Sequence, residues 1–339
     1  MSDLKDILGN ETLKEHFKTA VRHKKVSHAY IIEGEKGSGK KMLAEAFAKI
    51  LQCEQGGEEA CGQCASCIQM EHRDHPDVIR VIHEKSNVIS VHEMREQVVN
   101  TIDIKPYKGP YKIYIIDEAE KMNNAAQNAI LKTIEEPPSY AVVLLLTTNR
   151  GAFLPTILSR CILLNVKPVE EHSVQRYLMD QFHIPKETAE FCAGYSMGNI
   201  GKAKDAALSE EFLEIRNFNI SVLQYIYETE DYEIIEKVKT YKKWKDSINE
   251  CLDMMLMWFR DILLIKVMGN DNKLIFKENY SIIKKQSEIL TLESIEEILK
   301  KIDQARMRIK ANVNFDTSLE LLLMEIKQKF IQNNGGYND

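Results

Sequence analysis

The sequence predicts an α/β fold with a parallel sheet in its first half and an all-helical second half. Three observations predict it. Short apolar runs alternate with helical periodicity up to about residue 166, and a glycine loop separates the first run from a helical stretch. After about residue 210 only helical periodicity continues, with few glycines and almost no prolines. Strands joined through helices are covered on both faces, so they read as apolar runs and not as an alternation.

In chain order, Leu13, Phe17 and Val21 share one helical face, and residues 29–32 form a first strand. After the glycine loop, Leu43, Ala46, Phe47, Ile50 and Leu51 fall at helical spacing. Residues 78–82 and 113–116 are further strands, and residues 121–136 a helix stopped by Pro137 and Pro138. Residues 142–146 are a strand running into Thr147, Thr148 and Asn149. Lys167 and Pro168 mark a hinge where strand signals cease, and Gly198 to Gly201 punctuate a small helical segment. With 339 residues, two or three domains are expected. The boundaries read as 1–167 for the nucleotide-binding-like α/β domain, 168–208 for a small helical domain and 209–339 for a helical C-terminal domain, ending in the polar tail NNGGYND.

Composition excludes several classes. Apolar content of 44% with 28% charged residues is that of a water-soluble globular chain. The start, MSDLKDILGNE, carries charges where an export signal needs an apolar core, so a cytoplasmic protein is expected. Residues 254–268 are apolar but contain Arg260, Asp261 and Lys266, and are too short to span a bilayer. A net charge of −6 argues against coating nucleic acid by charge alone. The run Arg22, His23, Lys24, Lys25 either touches phosphates or is a solvated helix end.

The loop Gly34-Glu35-Lys36-Gly37-Ser38-Gly39-Lys40 matches the phosphate-binding P-loop up to its last position. Gly34, Gly37 and Gly39 let backbone N–H groups turn inward around phosphate oxygens, and Lys40 reaches the outer phosphates. The next residue should be Ser or Thr, whose hydroxyl ligates magnesium; here it is Lys41. An ammonium has no lone pair to offer a cation. Phosphate binding can survive this change while metal-assisted hydrolysis suffers, unless Lys41 swings out and water replaces the hydroxyl. Asp117 and Glu118 follow an apolar run as a Walker B pair does, Asp117 for the metal's water shell and Glu118 to polarise an attacking water. The alternative is a solvated loop pair.

Cys53, Cys61, Cys64 and Cys67 give C-x7-C-x2-C-x2-C. Four thiolates so close suit a tetrahedral, structural zinc with no open position, and disulfides are the alternative. His72, His75 and His83 lie nearby but are not needed as ligands. Cys192 and Cys251 read as small buried residues.

The stretches HAYIIEGEKGSGKK (28–41), YKIYIIDEAEKMNNAAQNAILKTIEEPP (111–138), LLTTN (145–149) and LPTILSRC (154–161) resemble the bacterial clamp-loader AAA+ family, with a weaker likeness at WFRD (258–261) and NFDTSLELLLMEI (314–326). The resemblance implies an AAA+ domain with a small zinc module at 53–67, a lid at 168–208 and a collar at 209–339. It puts Asn149 at the sensor-1 position. Arg160 falls at the arginine finger, which reaches a neighbouring subunit's ATP site; otherwise it pairs with a carboxylate of its own chain. Motor subunits carry a sensor-2 arginine where this chain has Gly201, with Lys202 beside it. The implied function is a subunit that binds ATP or ADP without efficient hydrolysis, beside motor and delta-type subunits. Its implied contacts with the sliding clamp and primer-template DNA run through the complex, and no membrane is involved. Two other functions compete, an active ATPase motor and a zinc-dependent nucleic-acid binding module.

Overall fold

The computed structural model describes residues 3–83, 87–269 and 273–334; the polar tail beyond 334 lies outside them. Five parallel strands, β1 (Ala29–Glu33), β2 (Val78–Arg80), β3 (Lys112–Ile116), β4 (Ala141–Thr147) and β5 (Ile162–Asn165), form one sheet in the order β2-β3-β4-β1-β5. Register pairs Ile31 with Leu145 on one side of β1 and with Leu163 on the other. The expected parallel sheet is present. It contains a short fifth strand that the apolar-run reading omits, and β2 is three residues long where five were expected.

Side-chain alternation divides the strands between two cores, which is how an all-apolar run is used in a sheet covered on both sides. Tyr30, Ile32, Ile113, Ile115, Val142 and Leu144 pack under α1 (Glu11–Arg22) and α2 (Lys40–Gln52). Ile31, Tyr114, Ile116, Val143 and Leu145 face the opposite core with Met94, Val98, Ile130 and Ile134. Phe17 of α1 stacks on Phe47 of α2 with ring centroids 4.0 Å apart, and Tyr30 meets Phe47 edge-on at 5.5 Å. Such pairs add about 0.5–1.5 kcal/mol each beyond their burial. They fix α2, and with it the start of the helix that follows the glycine loop.

Further along this half come α3 (Ala65–His72), α4 (Val91–Met94), α5 (Asn124–Glu135) and α6 (Pro155–Leu158). Helix α5 starts three residues later than its periodicity suggested, because Asn123 caps it by accepting from Ala126 N. A single 3-10 turn, Ala119–Lys121, precedes it.

Beyond β5 the chain is helical: α7 (Glu171–Phe182), α8 (Lys186–Ser196), α9 (Ile200–Leu208), α10 (Glu210–Leu223), α11 (Asp231–Tyr241), α12 (Ile248–Met268), α13 (Tyr280–Ile289), α14 (Leu292–Lys310) and α15 (Phe315–Asn334). Two compact units result. One runs to Val174 and takes back Met197–Lys202; the other comprises Gln175–Ser196 and the chain from Ala203. Inside the second unit, Trp258 and Asp261 of the WFRD stretch are fully buried. Trp258 Nε1 donates to Gln286 Oε1 at 2.8 Å, and Asp261 accepts from Ile275 N and Phe276 N at 2.7 and 2.9 Å. That stretch is therefore a packing motif. Among the described residues no helix is long and apolar enough to cross a membrane.

Candidate functional site

In open α/β sheets the groups that bind ligands gather at the C-terminal ends of the strands. Here the ends of β1, β3 and β4 meet in a cleft of about 560 Å³ lined by Gly37, Gly39, Lys40, Lys41, Asp117, Glu118, Glu120, Thr147 and Thr148. Gly37 and Gly39 hold φ of 85° and 92°, the left-handed values that let the loop turn its N–H groups inward. Gly34 opens the loop on a neighbouring wall, beside Glu35, Ser38 and Asn199. The structure thus brings together most of the residues that the motifs nominate, from segments more than seventy positions apart.

Lys40 is buried, and its ammonium donates to Gly34 O at 2.7 Å and Glu35 O at 2.8 Å. Burial pushes its pKa below the ordinary lysine value, against the pull of Glu120, Asp117 and Glu118. An incoming phosphate competes with two carbonyls for this ammonium.

Lys41 Nζ lies 3.2 Å from Asp117 Oδ2. The carboxylate that should hold a metal's water shell is already paired with a cation from the P-loop helix. Lys121 Nζ likewise lies 2.5 Å from Glu118 Oε2, and His83 Nε2 is 3.8 Å from the same oxygen. Asp117 and Glu118 each have a lysine partner. Magnesium sits about 2.0–2.1 Å from its oxygen ligands in a near-ideal octahedron. The Lys41–Asp117 pair is exposed, 52% and 39%, and worth about 0–1 kcal/mol, so it opposes such an ion chiefly by placing like charge beside the carboxylate.

Thr148 and Glu120, which the motif reading did not nominate, form part of the wall. Thr148 Oγ1 donates to Glu120 Oε1 at 2.7 Å. Burial raises the Glu120 pKa, but hydrogen bonds led by Thr148 outweigh it and hold the carboxyl below its usual range. Asn149 is turned onto its own loop, where its Oδ1 accepts from Gly151 N at 2.9 Å and caps a short turn. It is absent from the cleft lining.

Residues 197–202 bond onto the loop. Asn199 Nδ2 donates to Lys36 O at 2.8 Å, and Gly201 N donates to Gly37 O at 3.0 Å. The backbones of Gly201 and Gly37 are so close that a Cβ on Gly201 would stand 2.7 Å from Gly37 Cα and Gly37 O.

Arg160 is on the surface after α6, with Nη2 3.1 Å from Glu135 Oε1 and Nη1 3.0 Å from Thr156 O. The pair is well exposed, 39% and 42%, and worth about 0–1 kcal/mol.

The four cysteines converge. One Sγ from each of Cys53, Cys61, Cys64 and Cys67 lies within 4.8 Å of the others, a group that can hold a metal ion. Cys64 caps α3 by accepting from Cys67 N, and Cys61 Sγ accepts from Gln63 N and Cys64 N at 3.5 and 3.3 Å. These N–H bonds draw the Cys61 thiol down to about 6, whereas burial pushes the Cys67 thiol up. His75 is outside the group; it is buried beside Ser66 Oγ at 3.3 Å. The module is braced by Arg22–Glu58 and Lys18–Glu59 pairs at 2.5 and 2.8 Å. Arg22, from the basic run, therefore serves this brace.

Two family descriptions match the sequence: "DNA polymerase III, delta subunit" over residues 9–170 and "DNA polymerase III, delta subunit, C terminal" over residues 210–328. The chain belongs to the DNA polymerase III delta-subunit family. Within curated relatives it is similar to DNA polymerase III subunit delta′ of Bacillus subtilis, at 28% identity over 91% of this chain and 93% of the relative. It is also similar to subunit tau/gamma of Haemophilus influenzae, at 33% identity over 54% of this chain and 27% of the relative. A solved gamma subunit-related protein from Thermotoga maritima aligns at a TM-score of 0.41 with 17% identity, covering 94% of this chain and 99% of that one. The five-stranded parallel sheet and the helical second half agree with the expected α/β fold class and its all-helical C-terminal part.

Proposed function

We propose that this chain is a clamp-loader subunit of DNA polymerase III that does not hydrolyse ATP itself and lends Arg160 to the ATP site of a neighbouring subunit. The Lys41–Asp117 pair carries the reading. In related phosphoryl transfers magnesium bridges the outer phosphates and neutralises developing charge. Lys41 occupies the position of its hydroxyl ligand and engages its carboxylate. Lys121 sequesters Glu118 in the same way, which removes the acceptor that would polarise water. Gly201 leaves the sensor-2 position without a side chain.

The P-loop fits phosphate: its glycines and Lys40 would hold the phosphate chain of ATP or ADP. The four thiols fit zinc. A tetrahedron with Zn–S near 2.3 Å has S···S edges of about 3.8 Å, and Cys61 Sγ and Cys67 Sγ are 3.9 Å apart. Such a closed ion is structural, fastening residues 53–67 between α2 and α3. In this reading 168–208 act as the lid and 209–339 as the collar that assembles with motor and delta-type subunits in the cytoplasm. Contact with the sliding clamp and primed DNA then runs through the complex.

Arg160→Ala in the reconstituted complex tests the finger. Assembly should persist while ATP turnover at the adjacent site falls, by about 10³-fold or more if the finger works as in related phosphoryl transfers. Unchanged ATPase and clamp loading would leave Arg160 with only the bonds it makes to Glu135, Thr156 and Ser159 of its own chain.

A further inference from the structure

We infer that the Lys41 ammonium replaces the divalent ion outright, so that this cleft takes the phosphate chain of a nucleoside di- or triphosphate without any metal. The inference rests on the reading of the cleft as a nucleotide pocket without turnover, and deepens it. Lys41 begins the helix at the end of the phosphate loop, where the metal-ligating hydroxyl would be, and its Nζ lies 3.2 Å from Asp117 Oδ2 across the cleft. An ammonium carries three donors. Asp117 accepts one, and the side chain, 52% exposed, lines the same cleft as Gly37, Gly39 and Lys40. The remaining donors are available to phosphate oxygens in that cleft.

The charge balance supports one ligand class. Asp117 and Glu118 are paired with Lys41 and Lys121, and Glu120, ionised beside Thr148, faces Lys40, so Lys36 of the lining leaves one positive charge in excess. Lys40 is left with only carbonyl partners among its hydrogen bonds, its charge set against inward-facing loop N–H groups. That is a site for an anion. Seating Mg²⁺ there instead would bring like charge against Lys41 and pull Asp117 from its partner. Two ammoniums with different partners, Lys40 on loop carbonyls and Lys41 on Asp117, suit a chain of at least two phosphates better than a single one.

The test is calorimetric titration of ADP into the full chain, with excess EDTA and again with magnesium. Wild-type affinity should agree between the two buffers within about threefold. Lys41→Thr restores a hydroxyl and frees Asp117, so it should bind ADP at least about tenfold more tightly with magnesium than with EDTA. Lys41 is exposed in the first turn of its helix, and the wild-type comparison needs no variant. Wild-type binding that requires magnesium overturns the inference, as does an absence of binding in both buffers. ATP turnover by the same preparations, with ATP and magnesium in place of ADP, separates the two readings. No binding without turnover defeats this inference alone, whereas magnesium-dependent turnover defeats the non-hydrolysing subunit as well.

Discussion

Replacing Gly201 by alanine probes the contact that joins residues 197–202 to the phosphate loop. The new methyl would stand 2.7 Å from both Gly37 Cα and Gly37 O, and 3.1 Å from Gly37 C. All three are backbone atoms, which cannot rotate away as a side-chain end can. Either the loop strains, at about 1–3 kcal/mol, or the segment lifts. Lifting gives up the Gly201 N–Gly37 O and Asn199 Nδ2–Lys36 O bonds, worth about 0.5–1.5 kcal/mol each. Alanine recovers at most about 1 kcal/mol in helix propensity, and less here, because Gly201 is in the first turn of α9. The clash wins. A net loss of about 1–2 kcal/mol lowers Tm by roughly 2–8 °C for a unit of this size, read by thermal unfolding followed by circular dichroism. Gly201→Arg should lose as much, so restoring the motor subunit's side chain alone builds no sensor. A Tm equal to or above that of the wild type for Gly201→Ala would refute the packing argument.

Two further outcomes are expected. Elemental analysis of the purified chain should find about one zinc per chain, and chelation should lower Tm while leaving any DNA affinity of the complex largely intact. DNA binding lost in proportion to zinc would instead favour a nucleic-acid module. Asp77 is buried, which by itself raises its carboxyl, but N–H donors from Gly109, Tyr107 and Lys108 outweigh burial and hold its pKa below the ordinary value. A depressed carboxylate stabilises the fold above its unfolded pKa, and that contribution is lost as pH falls through the folded value. Asp77→Asn should therefore cost about 1–3 kcal/mol at neutral pH, with the gap to wild type narrowing below the ordinary carboxylate range. A gap that stays constant into acid would show that the charge is not what holds residues 107–109.

How much of this could be read in the sequence depended on range. Strands β3 and β4 are legible because burial on both faces demands an uninterrupted apolar run, as in Ile113 to Ile116 and Val142 to Leu146. Strand β5 pairs only with β1, and two of its four residues are exposed, so its pattern lacks that signature. The cysteine group was legible because its four thiols are close in sequence, at spacings of the kind metal sites use. The Lys41–Asp117 pair joins residues 76 positions apart, and no local pattern encodes it. What could be read was the misfit of a lysine at a metal-ligand position. Likewise, the return of residues 197–202 to the phosphate loop depends on two glycines meeting, a contact with no hydrophobic periodicity to announce it. At the end of β4, three successive polar residues offered no way to tell that Thr148 lines the cleft while Asn149 caps its own turn.

If Lys41, paired to Asp117, leaves the cleft without catalytic metal, the chain should not turn over ATP. Steady-state ATP turnover by the purified chain with magnesium, beside Lys40→Ala, tests it most directly. The expected result is no release of phosphate above the Lys40→Ala background. Turnover at the rate of a motor subunit, abolished by Lys40→Ala, would contradict it.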